Sequence, residues 1–176
     1  MITSLPRIAI ATRDFDAIVH TFREQLGMPI ADLSTYSGAA LGARLAMCVP
    51  PGGSNIELMS PADPAAPLGQ SLERFLARRG DGPFALMLEA PVPDEEAEAL
   101  RERGLRVLPL MAGASGRDVH PASTHGVLIR VYPCESFRAS SVQIERSPGR
   151  EVGLSGVARA RVAVGGVERG LGTYAR

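Results

Sequence analysis

Arg7-Ile-Ala-Ile-Ala-Thr-Arg-Asp-Phe-Asp16, continued by Phe22-Arg-Glu-Gln-Leu-Gly-Met28, reads as a strand that turns directly into an amphipathic helix. Residues 7–12 carry the β-branched Ile8, Ile10 and Thr12 and are too few for a helix. Asp14 stands at an N-cap position, and Phe15, Ile18, Val19, Phe22 and Leu26 recur at helical spacing until Gly27 stops them. Downstream, strands are predicted over Met28–Leu33, Ala39–Val49 and Asn55–Ser60, with Pro50-Pro-Gly-Gly-Ser54 as a turn. A polar, proline-rich connection leads to a helix at about Gln70–Arg79.

The order then repeats: a strand over Gly82–Ala90, a charged helix over Asp94–Gly104, and strands over Leu105–Leu110, Gly116–His120 and Gly126–Pro133. Two strand-helix-strand-strand-strand units thus flank Asp81. Each amphipathic helix covers one face of its sheet, so the other face must close onto something else. The predicted class is α+β: tandem βαβββ units curled into a cup-shaped mixed sheet, helices on the outer face. A third start follows, in which Arg159–Arg176 aligns without gaps on Arg7–Glu24, Ala163 falling on Ala11 and Tyr174 on Phe22. The predicted organisation is one domain over 1–134, with units at about 5–61 and 82–133. A polar linker over 135–153 then leads to 154–176, the start of a further unit or a docking arm with an apolar stripe at Val167, Leu171 and Tyr174.

Bulk composition removes several function classes. Formal charge is zero, which leaves no electrostatic footprint for nucleic acid or an anionic membrane. All 19 basic residues are arginine, so Schiff-base and phosphate-loop lysines are excluded. Cys48 and Cys134 lie in apolar stretches without metal spacing and are read as reduced thiols. Met1-Ile-Thr-Ser-Leu-Pro-Arg7 lacks a basic start followed by an apolar run, and no stretch reaches membrane-spanning length. The expected location is the cytoplasm.

The opening motif resembles that of vicinal-oxygen-chelate domains, the glyoxalase, bleomycin-resistance and dioxygenase superfamily. Asn55-Ile-Glu-Leu-Met-Ser-Pro61, Leu72-Glu-Arg-Phe-Leu-Ala-Arg-Arg-Gly80 and Asp118-Val-His-Pro-Ala-Ser-Thr-His-Gly-Val-Leu-Ile-Arg130 resemble the methylmalonyl-CoA epimerase subfamily within it. The match runs over roughly residues 5–133 and implies a metal site of four inward side chains, typically His, Gln or Glu, His and Glu. Carried over position by position, that set becomes Arg7, Glu57, Ala85 and Arg130. Arginine offers only hydrogen-bond donors and would repel a dication, so no metal and no other cofactor is expected. The acid pair implied for epimerases is missing as well: one position holds Arg130, and the strand Leu41–Cys48 offers only Arg44 as a charged residue. The resemblance also implies pairing of such units across subunits, so a homodimer clasped by 154–176 is expected.

Strand alternation gives an independent reading. With Ile8 and Ile10 under the first helix, Arg7, Ala9 and Ala11 face the cup. Asn55, Glu57 and Met59 then face it too, as do Ala85, Met87, Glu89, Leu128, Arg130 and Tyr132. Arg7, Glu57 and Arg130 are expected to cluster, both guanidiniums within ion-pair reach of Glu57. Two readings stand: an internal Arg–Glu–Arg tie in place of the metal, or a guanidinium holding an anionic oxygen of a small ligand. The expected ligand-binding residues are Arg7, Glu57, Met59, Met87, Arg130 and Tyr132. Glu57, Glu89 and Tyr132 are the candidates for catalysis. Asp118 and His120 share strand parity and can form a dyad, while His120 and His125 flank a turn that they can stabilise. The function predicted is a metal-free binder of a small anionic or amphipathic ligand. The alternative is an isomerase or lyase of CoA thioesters or small carboxylates in which arginine stabilises an oxyanion.

Overall fold

The first strand lies at the centre of the sheet. In the computed structural model, which describes residues 1–136, 144, 145, 154, 157, 159–161 and 163, β1 (Ser4–Ala11) pairs in parallel with β4 (Asn55–Pro61) and antiparallel with β5 (Gly82–Ala90). Around this trio β2 (Ile30–Asp32), β3 (Ala43–Cys48), β6 (Arg117–Val119) and β7 (Leu128–Pro133) complete an open seven-stranded sheet in the order β2-β3-β4-β1-β5-β7-β6. The fold is the expected α+β arrangement of two βαβββ-like units. Their first strands meet at the β1–β5 pair.

α1 (Phe15–His20) starts where Asp14 accepts a hydrogen bond from the amide of Ala17 at 3.0 Å, and it runs on into a π-helical turn, Thr21–Gln25. Its apolar stripe packs with Phe15, Met28, Ile30, Ala46, Cys48 and Leu58 on one face of the sheet. The helix of the second unit, α4 (Pro93–Glu102), covers Ala90, Val119, Ile129 and Val131. Two expected strands shorten for local reasons. Residues 39–41 form the single turn α2 (Ala39–Leu41), because Gly42 adopts a left-handed φ of 72° that no strand continues through. Of Leu105–Leu110 only the bridge Val107–Val119 forms, since Pro109 has no amide to extend the ladder.

The connecting helix α3 (Pro67–Arg79) does not join the others. Leu68, Leu72 and Leu76 recur at helical spacing and pack against Ala9, Ala11, Leu45, Met59 and Met87 on the opposite face. Its first turn approaches the chain so closely that a Cβ on Gly69 would lie 2.0 Å from the Asp63 carbonyl oxygen. A bulge in β5, where Ala9 faces Ala85 but Ile10 faces Pro83, turns Phe84 to the same side as Ala85. Phe84 then meets Phe75 of α3 edge-on at 5.2 Å. Of the predicted linker and arm, Glu145 bridges to Ile30 at the edge strand β2, and Val157 bridges to Ser54. The rest of that prediction, including the stripe at Val167, Leu171 and Tyr174, lies outside the described residues. No helix among the described residues is long and apolar enough to cross a membrane.

Candidate functional site

Strand parity puts Arg7, Glu57, Ala85 and Arg130 on the face that carries α3, because Ala9 is opposite Glu57 and Ala85, and Met87 is opposite both Arg7 and Arg130. Arg7 and Glu57 form a buried pair, with Nη1 donating to Oε1 at 3.0 Å. The Arg7 guanidinium also lies 5.2 Å from the centre of the Tyr132 ring. Arg130 corrects the expectation. Instead of reaching Glu57 it is held by Asp118, its direct cross-strand partner, through Nε to Oδ1 at 2.7 Å and Nη2 to Oδ2 at 3.0 Å. Fork geometry favours this: one carboxylate satisfies two parallel N–H groups, and β6 presents it directly opposite. Burial works against the charge of Arg130, but the hydrogen bonds and charge of Asp118 outweigh it and raise the guanidinium pKa above its ordinary value.

These two pairs form a charge-balanced quartet, and Glu57 Oε2 is left enclosed without a hydrogen-bond partner among the described residues. Met59 and Met87 lie on the expected face but under α3, fully within the core. The Glu89 carboxylate accepts from Ser4 Oγ at 2.7 Å and from the amide of Glu135 at 3.1 Å, at the end of β5. Asp118 and His120 form no dyad: Asp118 turns to Arg130, and His120 Nδ1 accepts from the amide of Ala122 at 3.0 Å, capping the turn Pro121–Ser123. That capping is the turn-stabilising role expected of His120 from the sequence.

Open space on the α3 side of the sheet lies beside this quartet. A cavity of about 340 Å³ separates α3 from the segment 108–112 that replaced the expected strand. Arg130 and Asp118 form its floor, Leu128 and Met111 its apolar wall, and the exposed Arg74 its rim. Arg130 Nη2 also reaches Met111 Sδ at 3.6 Å. Among the described residues nothing accepts from Arg130 Nη1, and it is not among the fully enclosed polar atoms without partners, so it borders open space. Arg74 Nη2 donates to Ser71 Oγ at 3.4 Å, and no carboxylate pairs with this guanidinium among the described residues. Asp118 and Arg74 were missed as site residues. Asp118 was legible in principle, because its parity matches that of Arg130 one hairpin away. Arg74 was not, because nothing in the sequence says which sheet face α3 takes.

A family model described as the glyoxalase/bleomycin resistance protein/dioxygenase superfamily matches residues 7–120. The chain belongs to this superfamily. No curated protein matches it. Methylmalonyl-CoA epimerase from Mycobacterium tuberculosis is similar in structure at 27% identity and a TM-score of 0.61, over 75% of this chain and 89% of that one. A variant of the Streptomyces coelicolor methylmalonyl-CoA epimerase in complex with 2-nitronate-propionyl-CoA is similar at 25% identity and a TM-score of 0.63, over 77% and 97%. The four positions where the superfamily resemblance implies metal ligands hold two guanidiniums, one methyl group and one carboxylate already bound to Arg7. Among the described residues no group of three or more His, Cys, Asp or Glu is placed to hold a metal ion. This donor set does not fit a divalent cation.

Proposed function

We propose that this superfamily member binds a small amphipathic anion in the cavity between α3 and the segment 108–112, without a divalent ion. The observation that carries the reading is the cavity's charge: Arg130 is offset by Asp118, and Arg74 adds one positive charge with no carboxylate paired to it among the described residues. A volume of about 340 Å³ suits a small ligand, and the apolar wall favours one with a hydrocarbon part. Calorimetric titration tests it with octanoate against octylammonium, which share an apolar body and differ in charge. Saturable binding of octanoate alone, unchanged by a chelator, is the expected result. Preference for the cation, or loss of binding in chelator, refutes it.

A second reading, isomerisation of a CoA thioester, is favoured by the similarity to methylmalonyl-CoA epimerases, one of them bound to a CoA ligand. Glu57, Glu89 and Tyr132 are its candidate groups. Against Glu57 stands its burial beside Arg7, and against Glu89 its two hydrogen bonds at the strand end. Deuterium uptake at the α-carbon of methylmalonyl-CoA, absent without protein, would establish this reading over the first.

A further inference from the structure

The proposed cavity has two recognition points of different character. At its floor, Asp118 occupies Nε and Nη2 of Arg130 and cancels its charge, leaving Nη1 open. A ligand carboxylate there would face the Asp118 carboxylate across the guanidinium and meet no net positive charge. A neutral carbonyl oxygen suits the same N–H donors without that repulsion. At the rim, the exposed Arg74 keeps its full charge, with Gln70 and Ser71 beside it on the same helix face. Leu108, Pro109, Met111 and Leu128 line the apolar remainder. Depth follows from burial: Arg130 is 2% exposed, whereas Arg74 is exposed.

We infer that the ligand is a monoanion of the acyl-amino-acid or oxo-carboxylate type, its carboxylate at Arg74 and its neutral carbonyl oxygen at Arg130 Nη1. Asp118 is the positioning residue that fixes Arg130 and makes this floor reject a second charge. The inference rests on the anion-binding reading above and narrows it.

Three probes separate the two: N-hexanoylglycine, its methyl ester, and nonanoate, which lacks the amide carbonyl. Calorimetry of the full chain should show N-hexanoylglycine binding about tenfold more tightly than nonanoate, the effect of one hydrogen bond to a charged donor. Arg130→Lys retains the ion pair to Asp118 but loses the planar fork, and should bring that ratio close to one while preserving the acid-over-ester preference. Arg74→Gln should do the reverse. Asp118→Asn should bind nonanedioate at least about tenfold more tightly than the wild type does, because the floor guanidinium is then uncompensated. A merely structural Asp118 would not produce this gain. Equal binding of nonanoate and N-hexanoylglycine by the wild type overturns the inference even if every variant fails to fold, and leaves the anion reading intact. A carbonyl preference that survives Arg130→Lys also overturns it. A wild-type chain that binds none of the probes overturns both.

Discussion

Replacing Arg130 and Asp118 singly and together tests whether their pairing is the tie on which the second unit depends. Both are buried, and their two hydrogen bonds span β6 and β7. Removing one member of such a pair strands a charge in the interior and costs roughly 3–5 kcal/mol. The two single variants should differ within that range. In Asp118→Leu the freed Arg130 has a neighbour to turn to: it already senses the charge of Glu57, whose Oε2 has no hydrogen-bond partner among the described residues. In Arg130→Met, Asp118 keeps no hydrogen-bonded cation among the described residues, and Arg74 of the same cavity stands exposed at its rim. Asp118→Leu should therefore fall near about 3 kcal/mol and Arg130→Met near about 5 kcal/mol. The double variant should lie within about 1–2 kcal/mol of the wild type, since both charges leave together. Urea unfolding followed by circular dichroism measures all three. The single variants should also lower Tm by roughly 6–20 °C, at about 2–4 °C per kcal/mol for a chain of this size. A double variant whose loss equals the sum of the singles would refute the pairing, and Asp118→Leu costing more than Arg130→Met would refute the rescue by Glu57.

Gly69→Ala should destabilise the protein although alanine favours helices by about 1 kcal/mol, because its Cβ would collide with the Asp63 carbonyl 2.0 Å away; unfolding curves check the sign. Burial pushes the Cys48 thiol up to about 12, so a disulfide reagent at pH 8 should label Cys134 in the native chain and both thiols only after unfolding. The hydrogen bonds from Arg44 hold the exposed Asp16 carboxyl below its usual value of 3.8. Their stabilisation is complete above that value and lost as pH falls through the lower, native one, and Arg44→Gln should bring the Asp16 titration seen by NMR back toward 3.8.

Much of the sheet was legible because strand alternation is strict wherever one face is buried. Ile8 and Ile10 against Arg7 and Ala9 fixed which side chains meet, and the β1–β4 and β1–β5 registers follow that parity. The bulge at Phe84 was not legible, since an extra residue in one strand leaves no composition signal. The partner of Arg130 was missed for a different reason. Charge pairing was argued between strands that share the cup, whereas the nearest carboxylate stood across a hairpin, already opposed by backbone pairing. The place of α3 was the largest gap. Leu68, Leu72 and Leu76 announce an apolar stripe but not the face that receives it, and that choice turns Met59 and Met87 from cavity wall into core.

The central position of β1 has a consequence for synthesis of the chain. One neighbour, β4, pairs Arg7 with Asn55, and the other, β5, pairs Ala9 with Ala85, so both partners emerge long after β1 itself. Until β5 is made, the nascent first unit presents β1 as an unpaired edge. Such an edge is a template for pairing with another nascent chain. Assembly of the sheet must wait for distant segments, which places this protein among slower, high-contact-order folders. Ribosomes crowded on one message would bring these unfinished edges close together. Chaperone cover is needed most in the interval between completion of β4 and emergence of β5.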